Sequence, residues 1–398
     1  MRITESLNQT QFLAAIQALE SNISQTQNQL STNESFTTAS ENPIGAGDVN
    51  NYNQALAQSQ QFETNANSAK TNLSTESNAL TSVQTTLQSL RDLALEANSG
   101  TESSSNLNSI ATQVAQIQNS LLTLANTQNG NGEYIFGGYS VQTQPFALTA
   151  TGATYSGDQG QRQIQIAPGQ TVPDGDNGDA VFNQIPTGNG TFAVTAGTGN
   201  TGSGTIGATT VSTPSTYDGK PFSIVFTSPT AYNIENGAGV VQTSGTYTSG
   251  GSIAYDGTQI TLTGTPDVND SFAVNPSTNQ SLFTTVQNLV TALQQGSDGL
   301  NGQVKLSNAV TTAINNIDQA LNQTSNVQAS VGGRLNTITT QLSVASSQQL
   351  QLQSSIASLQ GLNYTAAITT LDQQNTTLSA ALQSYAQVQG LSLFKYIQ

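Results

Sequence analysis

The chain has 398 residues, enough for two or three domains, and contains no cysteine, histidine or tryptophan and one methionine. That composition excludes Cys/His zinc sites, histidine-based triads, thiol nucleophiles and disulfides. Charged residues are 8% of the chain, net charge is −15 and the eight basic residues are scattered singly. No basic patch exists for phosphates and no apolar run is long enough for a membrane span, so neither a nucleic-acid partner nor membrane insertion is expected.

In chain order, the segment Met1–Asn8 lacks the apolar core and cleavage site of a secretory signal, so any export is expected to use an uncleaved signal. Residues 1–40 are weakly helical, with Leu13, Ile16, Leu19, Ile23 and Leu30 read onto one face. Burying such a side chain contributes roughly 1.5–3 kcal/mol, against about 1–2 kcal/mol of entropy per ordered residue. Five apolar groups do not order thirty residues, so the segment is expected to be disordered alone and helical in an assembly. A break follows at Glu41-Asn42-Pro43-Ile44-Gly45. Pro43 resists a helix interior, and Asp48 is read as the N-cap of the next helix.

That helix runs to about Asn98 with two heptad rows. One is Ser59, Ala66, Leu73, Leu80, Leu87, Ala94; the other is Ala55, Phe62, Ala69, Glu76, Val83, Leu90, Ala97. Ser99-Gly100 stops it. A third helix carries Leu107, Ile110, Val114, Ile117, Leu121 and Leu124.

From Asn129 to about Asn279 the texture becomes Gly, Thr, Ser and Asn with short alternating stretches. Examples are Thr191–Thr195, Phe222–Phe226 and Gln259–Thr263, with turns at Asp218-Gly219 and Asp256-Gly257. Asp174-Gly175-Asp176-Asn177-Gly178-Asp179 invites a calcium reading but lacks EF-hand spacing, and tight turns favour the same residues. Tyr217, Tyr232, Tyr247 and Tyr255 could stack on sugars, making the insertion a surface adhesin; packing is the plainer reading of tyrosines in strands.

Helical pattern resumes at Leu282, Val286, Leu289, Leu293, then at Val310, Ile314, Ile317, Leu321. A second pair of heptad rows follows: Leu335, Leu342, Gln349, Ile356 and Ile338, Ala345, Leu352, Leu359. The last thirty residues carry Leu371, Leu378, Leu382, Tyr385, Val388, Leu391, Phe394 and Ile397, again too few to order alone. The fold expected is α+β and multidomain: a coiled-coil rod formed by both ends with an inserted antiparallel β-rich domain. The expected divisions are 1–41 with 362–398, 42–147 with 280–361, and 148–279. Ser59, Glu76, Gln349 and Asn375 interrupt the seams, which favours helices that take partners. Leu13, Ile16, Leu19, Ile23, Leu30, Leu371, Leu378, Leu382 and Tyr385 are the expected assembly interface. No catalytic, cofactor-binding or metal-ligating constellation stands out, and the chain is not expected to be an enzyme.

Four motifs resemble the flagellin family, and within it the hook-associated members. Glu41-Asn42-Pro43 resembles the family's Asp-Asp-Pro turn, with both aspartates replaced. Tyr134-Ile135-Phe136-Gly137-Gly138 leading to Pro145-Phe146 is similar to a segment of the hook-associated members that flagellin lacks. Val331-Gly332-Gly333-Arg334-Leu335 resembles a Gly-x-Arg-Leu helix motif, and Leu391-Ser392-Leu393-Phe394 a Ser-Leu-Phe ending. The likeness covers residues 1–147 and 280–398. It implies unfolded export through the flagellar type III channel, and an export chaperone on Leu382, Tyr385, Val388, Leu391 and Phe394. It also implies self-assembly in a ring, and a structural adapter role in motility between a hook-associated junction protein and flagellin. A flagellin that forms the filament itself is the nearest alternative.

Overall fold

The computed structural model describes residues 2–99, 102–296 and 299–394, with the side chains of 2–5, 300 and 388–394 outside the description. Contacts group the chain into two units, residues 1–64 with 342–398, and residues 65–341.

The first unit holds α1 (Arg2–Thr32), the start of α2 (Pro43–Ala97), the end of α5 (Gly299–Gln360) and α6 (Tyr364–Phe394). Both terminal segments are helices in the structure, and α1 and α6 pack against each other. The chain breaks between α1 and α2 and between α5 and α6, and the two breaks are joined. Ser35 N–H donates to Gln360 O at 2.7 Å and Leu362 N–H to Asn33 O at 3.3 Å, with Phe36 buried beside them.

Helix α2 starts five residues before the expected cap. Asn42 Oδ1 accepts the Gly45 N–H at 3.0 Å, and Pro43 occupies the first helical position. Proline is preorganised there and its missing N–H has no partner to lose, so it begins this helix and does not break it. Asp48 lies inside the helix and caps nothing.

The second unit contains the rest of α2, α3 (Ser104–Ala125), α4 (Leu282–Gln295) and the start of α5. From Ser59 to Ala97 both heptad rows of α2 are buried throughout except Phe62, which is half-buried. In this unit α2 and α5 run antiparallel. Thr81 pairs with Gln328 at 2.9 Å, Gln84 with Ser325 at 3.2 Å and Arg91 with Asp318 at 2.7 Å. Helix α3 is capped by Ser103, whose hydroxyl accepts the Asn106 N–H, and its stripe packs on α4.

Strands fill the interval between α3 and α4. β1 (Phe146–Thr149) pairs β2 (Gly152–Tyr155), and β3 (Gln163–Ala167) pairs β4 (Gln170–Pro173). A short π-helical turn at Asp179–Asn183 leads to β5 (Ile185–Pro186), which pairs the last strand, β14 (Asn279–Gln280). Between them lie β6 (Phe192–Ala196), β7 (Thr205–Val211), β8 (Phe222–Ser228), β9 (Ala231–Asn236) and β10 (Val241–Thr246). β11 (Ser252–Tyr255), β12 (Thr258–Thr263) and β13 (Ser271–Pro276) complete the set. They form antiparallel sheets of order β10-β9-β8-β13-β6 and β11-β12-β7, whose inward residues build one shared core.

Alternation places Phe222, Ile224 and Phe226 of β8 inward, as a period of two requires. The β11–β12 hairpin turns on Asp256 and Gly257, both at positive φ, the geometry for which Asp-Gly is selected in two-residue loops. Amide side chains of α5 fasten these strands to the helix. Asn308 accepts the Ile206 N–H at 2.8 Å and donates to Gly204 O at 3.2 Å, and Asn316 accepts the Gly188 N–H at 2.8 Å.

Candidate functional site

The terminal pair is the first candidate surface. Phe12, Ile16, Leu19, Ile23, Thr26 and Leu30 of α1 are buried or half-buried, spaced four and three residues apart in turn. Ala367, Leu371, Gln374, Leu378, Ala381 and Tyr385 of α6 follow the same spacing. This is the seam of an antiparallel coiled coil. The Phe12 and Tyr385 rings stack at 5.7 Å, Gln9 Nε2 donates to the Tyr385 hydroxyl at 3.2 Å, and Thr26 donates to Gln374 Oε1 at 3.1 Å.

Two of the residues expected at the assembly interface lie off this intramolecular seam. Leu13 is 44% exposed and Leu382 is 47% exposed, because Phe12 and Ala381 take the inward places. One residue along a helix is about 100° of rotation, enough to move a side chain off the seam. Leu382 shares its outward heptad position with Ile368, which is also exposed. Of the residues expected to bind a chaperone, Leu382 is exposed and Tyr385 half-buried; the side chains of Val388, Leu391 and Phe394 lie outside those described.

At the α1–α2 break, Glu41 Oε2 accepts the Thr37 N–H at 2.7 Å and its Oε1 accepts from Gln25 at 3.2 Å. With Asn42 capping α2, Glu41 and Asn42 both supply side-chain oxygens to the turn. Gly45 is required for room, since a Cβ there would collide with the Asn42 side chain.

The Tyr134–Phe146 motif builds a core. Phe146 is fully buried, with ring centroids 5.0 Å from Tyr155, 5.4 Å from Phe182 and 5.3 Å from Phe283. Phe136 meets Phe182 edge-on at 5.2 Å. Asn126, which ends α3, clamps the Phe146 backbone from both sides: its Oδ1 accepts the N–H and its Nδ2 donates to the carbonyl, each at 2.9 Å. The Tyr155 hydroxyl donates to Phe136 O and Asp158 O, and burial pushes its pKa up to about 12, so it remains a donor. Pro145 is buried and Tyr134 half-buried. Gly138 has φ +67° and faces the Asp158 carbonyl at a distance no side chain tolerates.

Arg334 explains its motif. Its Nη1 and Nη2 bond the two Asp176 oxygens at 3.0 and 2.9 Å, a bidentate pair that ties α5 to the turn after β4. Arg162 pairs with Asp174 next to it, and Asn72 of α2 donates to the same carboxylate at 3.2 Å. Glu76, a polar interruption of the α2 seam, is fully buried, and its Oε1 accepts the Asp176 N–H at 3.2 Å. The residues read for calcium therefore engage partners from this chain, with Asp179 accepting from Gln159, Asn183 and Gln184. Among the described residues no group of acids is arranged to hold a metal ion. Leu335 is half-buried, and nothing in the structure explains glycine at Gly332.

The four tyrosines weighed for sugar stacking serve the β core. Tyr247 is buried and donates to Leu262 O at 3.2 Å and Gly264 O at 2.9 Å, while Tyr217, Tyr232 and Tyr255 pack against the same core. Sequence reasoning missed Phe12, Asn126 and Phe182; the heptad spacing to Ile16 would have found Phe12, while the other two carry no local signal.

Residues 3–141 match the family model of the bacterial flagellin N-terminal helical region. The flagellar hook-associated protein 3 of Salmonella typhimurium is 32% identical over 185 residues, 46% of this chain and 58% of that relative. The match thus spans little more than half of the relative's length. Among solved structures, FlgL of Xanthomonas campestris is 28% identical with a TM-score of 0.73, covering 77% of this chain and 99% of its own. Hook-associated protein 3 of Legionella pneumophila is 26% identical with a TM-score of 0.73, covering 78% of this chain and 98% of its own. Over residues 3–141 the chain is thus similar in sequence to the flagellin N-terminal helical region, and over more than three quarters of its length it is similar in fold to hook-associated protein 3 and FlgL structures.

Proposed function

We propose that the protein is a structural adapter at the hook–filament junction of a bacterial flagellum, joining a hook-associated junction protein to the flagellin filament. The observation that carries this reading is a fold shared with FlgL from Xanthomonas over nearly all of that protein and over 77% of this chain. In this reading the protein is secreted through the flagellar type III channel with a chaperone on its last helix and self-assembles in a ring. The segments 1–41 and 362–398 stay unfolded until they reach the assembly. Support comes from the thin α1–α6 seam, where Thr26 and Gln374 occupy inward positions and Ile16, Ile23 and Ala367 are the buried apolar residues. Leu13, Leu382 and Ile368 face outward and are suited to contacts with neighbouring subunits.

The test is deletion of the gene, with motility scored and flagellin measured in the medium. Loss of motility with flagellin shed unassembled supports an adapter. Normal filaments would refute it, and long helical polymers of the purified protein alone would favour a flagellin.

A further inference from the structure

We propose that Glu76 is a neutral carboxylic acid in the folded protein and acts as an acid-tightened latch holding the 174–178 turn against α2 and α5. The geometry is specific. Glu76 belongs to the buried row of α2 and has no exposed surface, and although Oε1 accepts the Asp176 N–H, Oε2 has no partner in the described protein. An ionised carboxylate with an orphaned buried oxygen is costly, whereas a protonated one carries a donor.

The charges around it point the same way. The turn presents Asp176 and α5 presents Arg334, whose two terminal nitrogens both bond Asp176, Nη2 also donating to Ser330. One cation therefore serves two carboxyl groups. The next charges out, Asp174, Arg162 and Glu133, form their own group with Asn72 of α2. Burial, and then the Asp176 charge, hold the Glu76 carboxyl well above the usual carboxylate range, with Arg334 opposing more weakly. As an acid, Glu76 can donate to the Asp176 carboxylate while accepting from the Asp176 backbone, so one protonated side chain secures the residue that Arg334 also grips.

The sign follows from linkage. With the turn released, Glu76 is solvated and titrates near its ordinary value of about 4.3. Closing the turn raises that pKa, so closure takes up a proton. The latch is tightest below the open-state pKa. It loosens about tenfold per pH unit as pH rises from there to the closed-state pKa, and is constant above it.

The experiment is amide exchange in the full chain between about pH 5 and 8, corrected for intrinsic base catalysis, read at Asp176 and Gly178. In the wild type the opening constant should climb by up to about tenfold per pH unit over part of this range. Glu76→Gln, whose amide reproduces both the acceptor and the donor of the neutral acid, should show no such slope and at least equal protection near neutral pH. The same slope in both proteins, or a flat wild type, would overturn the latch. Carbon-13 carboxyl spectra give a readout that needs no variant: a Glu76 carboxyl titrating near about 4.3 would also sink it.

Discussion

Truncating Phe146 to alanine tests whether the Tyr134–Phe146 motif is a core or a recognition surface. Phe146 has no exposed surface and touches three rings, those of Tyr155, Phe182 and Phe283. Removing a buried phenylalanine costs about 3–5 kcal/mol, of which each lost ring pair supplies roughly 0.5–1.5 kcal/mol. Leu148, two residues further along β1, is 38% exposed and is the internal control. Its truncation should stay within about 0.5 kcal/mol of wild type, as surface changes usually do. With a urea slope of about 2–3 kcal/mol/M, the Phe146→Ala midpoint should fall by roughly 1–2 M. Because the chain forms two units, a single global transition is not assured. The measurement is therefore urea unfolding by circular dichroism together with amide exchange localised to residues 65–341. A Phe146→Ala protein within about 1 kcal/mol of wild type in that unit would mean the aromatic cluster does not carry the fold, and the motif would have to be explained by a partner.

Arg334→Ala should destabilise the same unit by about 3–5 kcal/mol, since it removes the cation from a largely enclosed Asp176 and leaves its carboxylate the Gln161 amide; a double-mutant cycle with Asp176→Asn that shows no coupling would discount the pair. In dilute monomer, amides of 1–40 and 365–398 should exchange near the unprotected rate and limited proteolysis should trim both ends. Protection there would mean the α1–α6 seam forms without assembly. Replacing Leu382, Val388 and Leu391 with serine should abolish co-purification of an export chaperone without unfolding residues 50–360, and retained binding would clear this face. Deleting residues 2–30 should hold the protein in the cytoplasm, a result that normal secretion of the truncation would contradict.

What the amino-acid order determines by itself is what depends on neighbours in sequence. The heptad rows from Ser59 to Ala97 and the alternation of Phe222, Ile224 and Phe226 were legible because period reports which face is buried. The Asp256-Gly257 turn was legible because its backbone demands those residues. Local patterns were weakest where two adjacent residues compete. Phe12 and Leu13, or Ala381 and Leu382, are both plausible inward residues, and only the partner helix selects between them. The start of α2 was misplaced for a related reason: Pro43 reads as a breaker until the Asn42 side chain is seen folded over the first turn. The tertiary structure alone decided the rest. Arg334 meets Asp176 and Phe146 meets Phe283 across more than a hundred residues, and Glu76 is sealed beneath a turn from another part of the chain. Such pairings leave no period in sequence, because their energy comes from burial and charge neutralisation that exist only after the chain has folded back on itself.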